Sequence, residues 1–215
     1  MKVLIHACPQ RMWYVEEFLA PNLRSQGAEV EIWNDVQGIG NLYACMESFK
    51  RRLGDGATWH IQDDVLPCRD FVKRCSEYEN DKVVYGFCCQ RFTDDPDQTG
   101  LVHTPDAWHS FQCVRIPDSW ARECAEWFYA EGRSDPDLRH LAALNRFDDY
   151  FFREFCQRRH GRDAAINARP CLVEHVDMLI GGSVINEWRG YWVRAALWDD
   201  EELVAELRER LGAYK

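Results

Sequence analysis

Apolar positions in this chain fall into short runs separated by amphipathic stretches of ten to fifteen residues. Residues 2–7 (Lys-Val-Leu-Ile-His-Ala) are almost continuously apolar, which predicts a buried strand. After Pro9 a helix is expected over about 11–25, with Trp13, Phe18 and Leu19 turned to the core and Gly27 ending it. Residues 29–34 (Glu-Val-Glu-Ile-Trp-Asn) alternate as a strand should, closing at Asp35. The turn Gln37-Gly38-Ile39-Gly40 leads into a helix over about 41–53. Beyond Gly54 and Gly56, residues 57–62 (Ala-Thr-Trp-His-Ile-Gln) read as a third strand running into Asp63 and Asp64.

The second half continues the alternation. A helix is expected at 69–79, a strand at 82–89, a loop rich in Asp, Pro, Thr and Gly at 92–107, a strand near 109–116 and a helix near 118–130. Residues 131–140 are polar and read as surface. Phe147, Phe151 and Phe155 recur at i, i+4, i+8 and mark a helix starting near Asp148. Residues 171–176 form a last strand, and Gly181-Gly182 opens a tail holding Trp188, Tyr191 and Trp192. A helix at 200–211 closes the chain, with Leu203, Leu207 and Leu211 inward. Strands alternating with helices predict an α/β fold: one Rossmann-type domain over 1–215, a mostly parallel central sheet flanked by helices, and an acidic C-terminal helix at 199–212.

Charge changes this picture locally. The net charge is −10, which argues against a general nucleic-acid coater, because non-specific binding rests on neutralising phosphates. Residues 153–169 nevertheless carry Arg153, Arg158, Arg159, Arg162 and Arg169 against Glu154 and Asp163, a local basic stretch. The ten cysteines contain no Cys-x-x-Cys pair, so they read as reduced thiols, most of them buried, rather than a zinc site. No apolar stretch approaches the ~20 residues that span a bilayer, and the expected location is the cytoplasm.

The strongest chemical signal is Trp59-His60-Ile61-Gln62-Asp63-Asp64-Val65. Adjacent carboxylates at the carboxyl end of an apolar central strand sit where α/β sheets bind ligands, and carboxylates hold Mg²⁺ or Mn²⁺ against phosphate oxygens. Strand alternation would send the two side chains to opposite faces, so one Asp is expected on the metal and the other on the ribose or a metal-bound water. The plainer reading is a polar strand end capping the next helix. His175 interrupts the apolar run Cys171-Leu172-Val173-Glu174-His175-Val176, as a metal-ligating or a structural imidazole. In Arg146-Phe147-Asp148-Asp149 the acids are either helix-start carboxylates or include a general base. Gly38-Ile39-Gly40 imitates a dinucleotide fingerprint but follows the second strand and puts Tyr43 at the third small position, and no phosphate-binding P-loop is present.

Taken together, Pro9 and Arg11 after the first strand, Asp35 after the second, the Asp pair after the third, a helix-opening acidic pair and a late strand-borne His resemble glycosyltransferases of the GT-A fold. The resemblance covers about residues 2–186 and implies a nucleotide-sugar donor, UDP-linked by expectation, with a divalent metal, Mn²⁺ or Mg²⁺. It implies Asp64 and His175 as metal ligands, Asp63 on the donor ribose or metal shell, and Pro9, Arg11 and Asp35 around the nucleotide. Asp149, with Asp148 beside it, matches the base, which implies direct displacement and inversion. The usual Asp-x-Asp is here Gln62-Asp63-Asp64, and the chain is short for the family.

The phrases Gln-Asp-Asp-Val-Leu-Pro-Cys and Leu-Val-Glu-His-Val are similar to small bacteriophage glycosyltransferase-like proteins, some of which glycosylate hydroxymethylated pyrimidines in DNA. That resemblance makes a 5-hydroxymethylpyrimidine in DNA the preferred acceptor, the base flipped out onto aromatics. Trp108, His109 and Trp188 are the expected acceptor contacts, with Phe111, Tyr191 and Trp192 as further aromatics and the 153–169 arginines on phosphates. A saccharide acceptor is the alternative. A nucleotidyltransferase-like enzyme and a non-catalytic nucleotide-binding module are the alternatives of another class.

Overall fold

The computed structural model describes residues 1–52, 54, 56–78, 84–86, 100–102, 111–145, 147–169, 171–177, 179–181, 202 and 205–209. Nine strands appear in chain order: β1 (Lys2–Ala7), β2 (Glu29–Asn34), β3 (Ala57–Gln62), β4 (Val65–Pro67), β5 (Val84–Gly86), β6 (Gly100–Val102), β7 (Cys113–Pro117), β8 (Ala165–Arg169) and β9 (Val173–His175). Seven make one sheet in the order β2-β1-β3-β7-β5-β8-β6, while β4 and β9 pair separately as an antiparallel ribbon. Strand β1 lies parallel to β2 and β3, and β8 parallel to β5. The exceptions are β7, antiparallel to both neighbours, and the edge strand β6. The sheet is therefore mixed, with five of its seven strands pointing one way.

The sheet carries a separate core on each face, and alternate residues of β1 supply the first of them. Val3, Ile5 and Ala7 join Trp59, Ile61 and Cys113 beneath a helical stretch made of α1 (Met12–Tyr14), a π-helical segment Val15–Leu19 and α2 (Ala20–Ser25). The wide π turn lies just ahead of Pro21, which lacks an N–H and whose ring crowds the carbonyl four residues back, at Glu17. On the opposite face, Val84, Val114 and Ile116 pack under α3 (Asn41–Lys50), α5 (Asp118–Ala130) and α7 (Asp148–His160). Fully buried Phe49, Phe128, Phe151, Phe152 and Phe155 fill this side, each contributing about 1.5–3 kcal/mol by burial. Two shorter helices are α4 (Phe71–Cys75) and α6 (Arg139–Leu144).

Several expectations needed correction. The 69–79 helix contracts to α4, because the chain first pairs as β4 with the distant β9. Strand β6 lies in the stretch expected as loop, and β8 was not anticipated. The surface segment 131–140 contains a 3-10 turn, Gly132–Ser134, and runs into α6. Phe147 does not join the inner face of α7: it is the N-cap, at φ 65°, and 45% exposed, whereas Phe151 and Phe155 are buried. Residues 205–209 are helical with Leu207 fully buried; Leu203, Leu211 and the aromatic tail lie outside the described residues. The eight described cysteines are free thiols, six of them buried. Among the described residues, no helix is long and apolar enough to cross a membrane.

Candidate active site

Strands β1, β2 and β3 run parallel and end together, and a cleft of about 510 Å³ opens at their carboxyl ends. Pro9, Arg11, Asp35, Asp63 and Asp64 all line it, so five residues expected around a donor and metal share one cavity. Gly38, Gly40 and Asn41, at the start of α3, form another wall.

The Asp pair does not obey strand alternation. Strand β3 ends at Gln62, and Asp63-Asp64 make the turn into β4, which lets both carboxylates converge. Arg11 Nη1 donates to Asp63 Oδ1 and to Asp64 Oδ2, each at 2.9 Å, and the Cys8 amide donates to Asp63 Oδ2 at 2.7 Å. The β4–β9 ribbon places Val65 opposite His175, and the Val176 amide donates to the Asp64 carbonyl at 2.7 Å. His175 Nε2 thus comes to 3.2 Å from Asp64 Oδ2. On the other side of the ring, Asp177 Oδ1 lies 3.5 Å from Nδ1, the placement of a carboxylate that orients a ligating imidazole. Asp177 is an addition to the sequence-based set.

Burial alone would raise the Asp64 carboxyl, but His175 and Arg11 outweigh it and hold the group well below the usual carboxylate range. Asp63 is shifted upward by burial and by the neighbouring Asp64 charge. Asp64 Oδ1 is buried and has no hydrogen-bond partner among the described residues. A carboxylate with one unspent oxygen beside an oriented imidazole is a donor set that fits a divalent cation.

The glycine turn serves the fold before any ligand. Asp35 accepts from the amides of Ile39 and Gly40, both at 3.0 Å, so its two oxygens close the loop on itself. Asn145 caps α3 from another element: its Oδ1 accepts from the Tyr43 amide at 3.0 Å, and its Nδ2 donates to the Ile39 carbonyl. Gly40 has φ 90°, and a Cβ there would collide with the Asn145 side-chain amide. Gly40→Ala is therefore expected to lower the unfolding free energy by about 3 kcal/mol in urea titrations, from backbone strain plus a displaced cap. A loss under about 0.5 kcal/mol would mean that Asn145 moves aside freely. The same loop also walls a second groove of about 850 Å³, lined by Trp33, Tyr43, Arg51 and Tyr129.

The two acids opening α7 part company. Asp148 is 5% exposed and accepts from Gln62 Nε2 at 3.0 Å, which ties α7 to the end of β3. Burial, helped by the charge of Asp149, pushes its carboxyl up to about 7 against the opposing bonds from Asn41 and the backbone. Asp149 is half-buried, and its Oδ1 accepts from the Tyr150 amide at 2.8 Å. Gln62, the departure from Asp-x-Asp, thus has a structural task.

A second group of metal-ligand types lies behind the cleft. His6, Cys45 and His60 bring their ligand atoms within 4.8 Å of one another, and His60 Nε2 is buried without a partner among the described residues. His6 is pushed down to about 4 by burial, and the Cys45 thiol is pushed well up by burial. However, His60 Nδ1 sits 3.4 Å from Arg52 Nη2, and burial already lowers that guanidinium to about 10. A metal there would add charge beside Arg52 with no carboxylate in the group to balance it, whereas Asp64 brings a carboxylate, so Asp64 and His175 make the better centre.

Trp108, His109 and Trp188, the expected acceptor contacts, lie outside the described residues, as do Tyr191 and Trp192, while Phe111 is buried in the core. The basic stretch is largely spent on the fold. Arg153 is buried over the Tyr150 ring, Arg158 pairs with Asp135 at 2.8 Å, and Arg159 reaches Glu131 at 3.5 Å.

No protein-family profile matches the chain, and no curated protein matches it. Among solved structures, the chain is similar to A197 from STIV, at 14% identity over 81% of this chain and 85% of that one, with a TM-score of 0.43. It is also similar to a glucose-1-phosphate thymidylyltransferase, described as putative, from Bacillus anthracis, at 12% identity over 97% of this chain and 75% of that one, with a TM-score of 0.43.

Proposed function

We propose that this protein is a glycosyltransferase of GT-A type that moves a sugar from a nucleotide-sugar donor to an acceptor hydroxyl, with inversion. The observation that carries the reading is that Asp63 and Asp64 line the cleft together, with the His175 imidazole against Asp64 Oδ2 and Asp64 Oδ1 left unspent. Asp64 and His175 would hold a divalent cation, Mn²⁺ or Mg²⁺, and Asp177 would orient the imidazole. When bound, the cation supplies the positive charge that stabilises a departing nucleoside diphosphate.

The remaining tasks fall to the chain itself. The ends of β1 and β2, with Pro9 and the Asp35 loop, would receive the nucleoside, and Asp63 would contact the ribose or the metal shell. Asp149, the more accessible of the paired acids, takes the proton from the acceptor hydroxyl as the bond to the sugar forms. Asp148 is the positioning residue: its bond to Gln62 fixes the first turn of α7 against the donor strand.

The acceptor we carry forward is the primary hydroxyl of a 5-hydroxymethylpyrimidine in DNA, reached by base flipping. A product assay tests donor and acceptor together. It pairs a panel of nucleotide sugars with 5-hydroxymethylcytosine DNA, 5-hydroxymethyluracil DNA and saccharides, each with Mn²⁺, Mg²⁺ or chelator. Mass added to a DNA nucleoside and lost with chelator is the expected result. Transfer to saccharides alone would keep the reaction and replace the acceptor. Release of pyrophosphate in place of a nucleoside diphosphate would move the protein to the nucleotidyltransferases.

A further inference from the structure

The position between the two carboxylates is taken by a guanidinium. Arg11 Nη1 stands 2.9 Å from Asp63 Oδ1 and 2.9 Å from Asp64 Oδ2, where a bridging cation would stand. The arrangement is built in: the Arg11 side chain is 5% exposed, and Arg11 is the last residue of the 3-10 turn Pro9–Arg11. Asp64 Oδ2 is shared by Arg11 and His175, while Oδ1 has no partner among the described residues. Two adjacent carboxylates this deeply placed need a counter-charge at all times, and Arg11 supplies it.

A divalent ion held by Asp64 and His175 together would lie on the Oδ2 side, which the imidazole faces at 3.2 Å, and there the guanidinium nitrogen already hydrogen-bonded to Oδ2 would repel it strongly. The two occupants are therefore alternatives. Arg11 also lines the cleft, so once released from Asp64 it remains within the cavity that would receive a diphosphate. Its planar fork suits phosphate oxygens as well as it suits carboxylates.

We propose that Arg11 is the resident counter-cation of this centre, displaced from Asp64 when a divalent metal binds and then passed to the donor diphosphate. The inference rests on the metal-dependent reading above. It makes the metal alone a weak ligand and couples its binding to that of the nucleoside diphosphate. The coupling is reciprocal, each ligand strengthening the other by the same factor.

The test is Mn²⁺ binding followed by electron paramagnetic resonance, with and without UDP, on wild type, Arg11→Gln and Arg11→Lys. Arg11→Gln is expected to bind Mn²⁺ alone about tenfold more tightly than wild type, because the competing charge is gone. The gain from adding UDP should shrink by a similar factor, since no released guanidinium meets the diphosphate. Arg11→Lys, whose ammonium lacks the fork, should fall between the two. Equal or weaker Mn²⁺ binding by Arg11→Gln, with its circular dichroism spectrum intact, overturns the proposal. Should Arg11→Gln fail to fold, an Arg11→Lys affinity no higher than wild type overturns it equally. Absence of Mn²⁺ and Mg²⁺ binding in every protein, UDP present or not, would instead remove the metal-dependent reading and this proposal with it.

Discussion

Asp64→Asn is expected to weaken Mn²⁺ binding by about 100-fold or more and to take metal-dependent donor binding down with it. The substitution preserves volume but offers a single oxygen where the carboxylate offers Oδ2 to His175 and Arg11 and keeps Oδ1 for another partner. Calorimetric titration of Mn²⁺ and of a nucleotide sugar reads both losses. Unaltered Mn²⁺ affinity would place the metal elsewhere, with His6, Cys45 and His60 next in line. A pH signature accompanies the change. The Asp64 carboxyl lies below its ordinary value of 3.8, so its stabilisation is present above about pH 4 and lost as pH falls further. Wild type should shed that part of its stability in acid, and Asp64→Asn should have none of it to shed.

The acidic pair of α7 should separate in the same way. Asp149→Asn is expected to cut transfer by about 10²–10⁴-fold with donor affinity almost unchanged, the loss typical of a removed general base. Asp148→Asn can still accept from Gln62 and should retain most of the activity. Its effect belongs to stability. The folded-state value of about 7 lies above the ordinary 3.8, so the neutral acid favours the fold: the contribution is full below about pH 4 and lost as pH rises toward 7. The swing is on the order of 4 kcal/mol at most, at about 1.4 kcal/mol per pH unit. Relative to wild type, Asp148→Asn should gain stability between pH 5 and pH 8 in urea titrations. A stability gap that stays constant across that range would mean Asp148 ionises as an ordinary surface acid. Transfer that survives in Asp149→Asn and disappears in Asp148→Asn would exchange the two roles.

What could be read from the chain was what depends on near neighbours. Strand β1 and helix α5 match their expected limits, because a continuous apolar run and an amphipathic period are local patterns. The cleft was legible for the same reason: Asp35 and Asp63 each directly follow a strand, Pro9 comes two residues after one, and parallel strands end together. Strand order was not legible. Nothing within Cys113–Pro117 says that it enters antiparallel beside β3, since that choice lies in partners far along the chain. Strand β8 escaped notice because Ala-Ile-Asn-Ala-Arg is small and polar, with only one β-branched residue. The Asp pair was misread by extending strand geometry one step too far, into a turn. Asp177 and the bond from Gln62 to Asp148 went unseen because a supporting carboxylate or amide has no motif of its own.

The three-residue ribbon of β4 and β9 has a consequence for the order of events during synthesis. Asp64 and His175 meet only through it, and about 110 residues of chain separate them. At roughly 5–20 residues per second, a nascent chain would carry β1, β2 and β3 for some 5–20 s before the histidine emerged. During that interval β4 lacks β9, and the carboxylates have Arg11 and the Cys8 amide as partners but no imidazole. Until then no imidazole stands beside Asp64, and any site that needs both residues is incomplete.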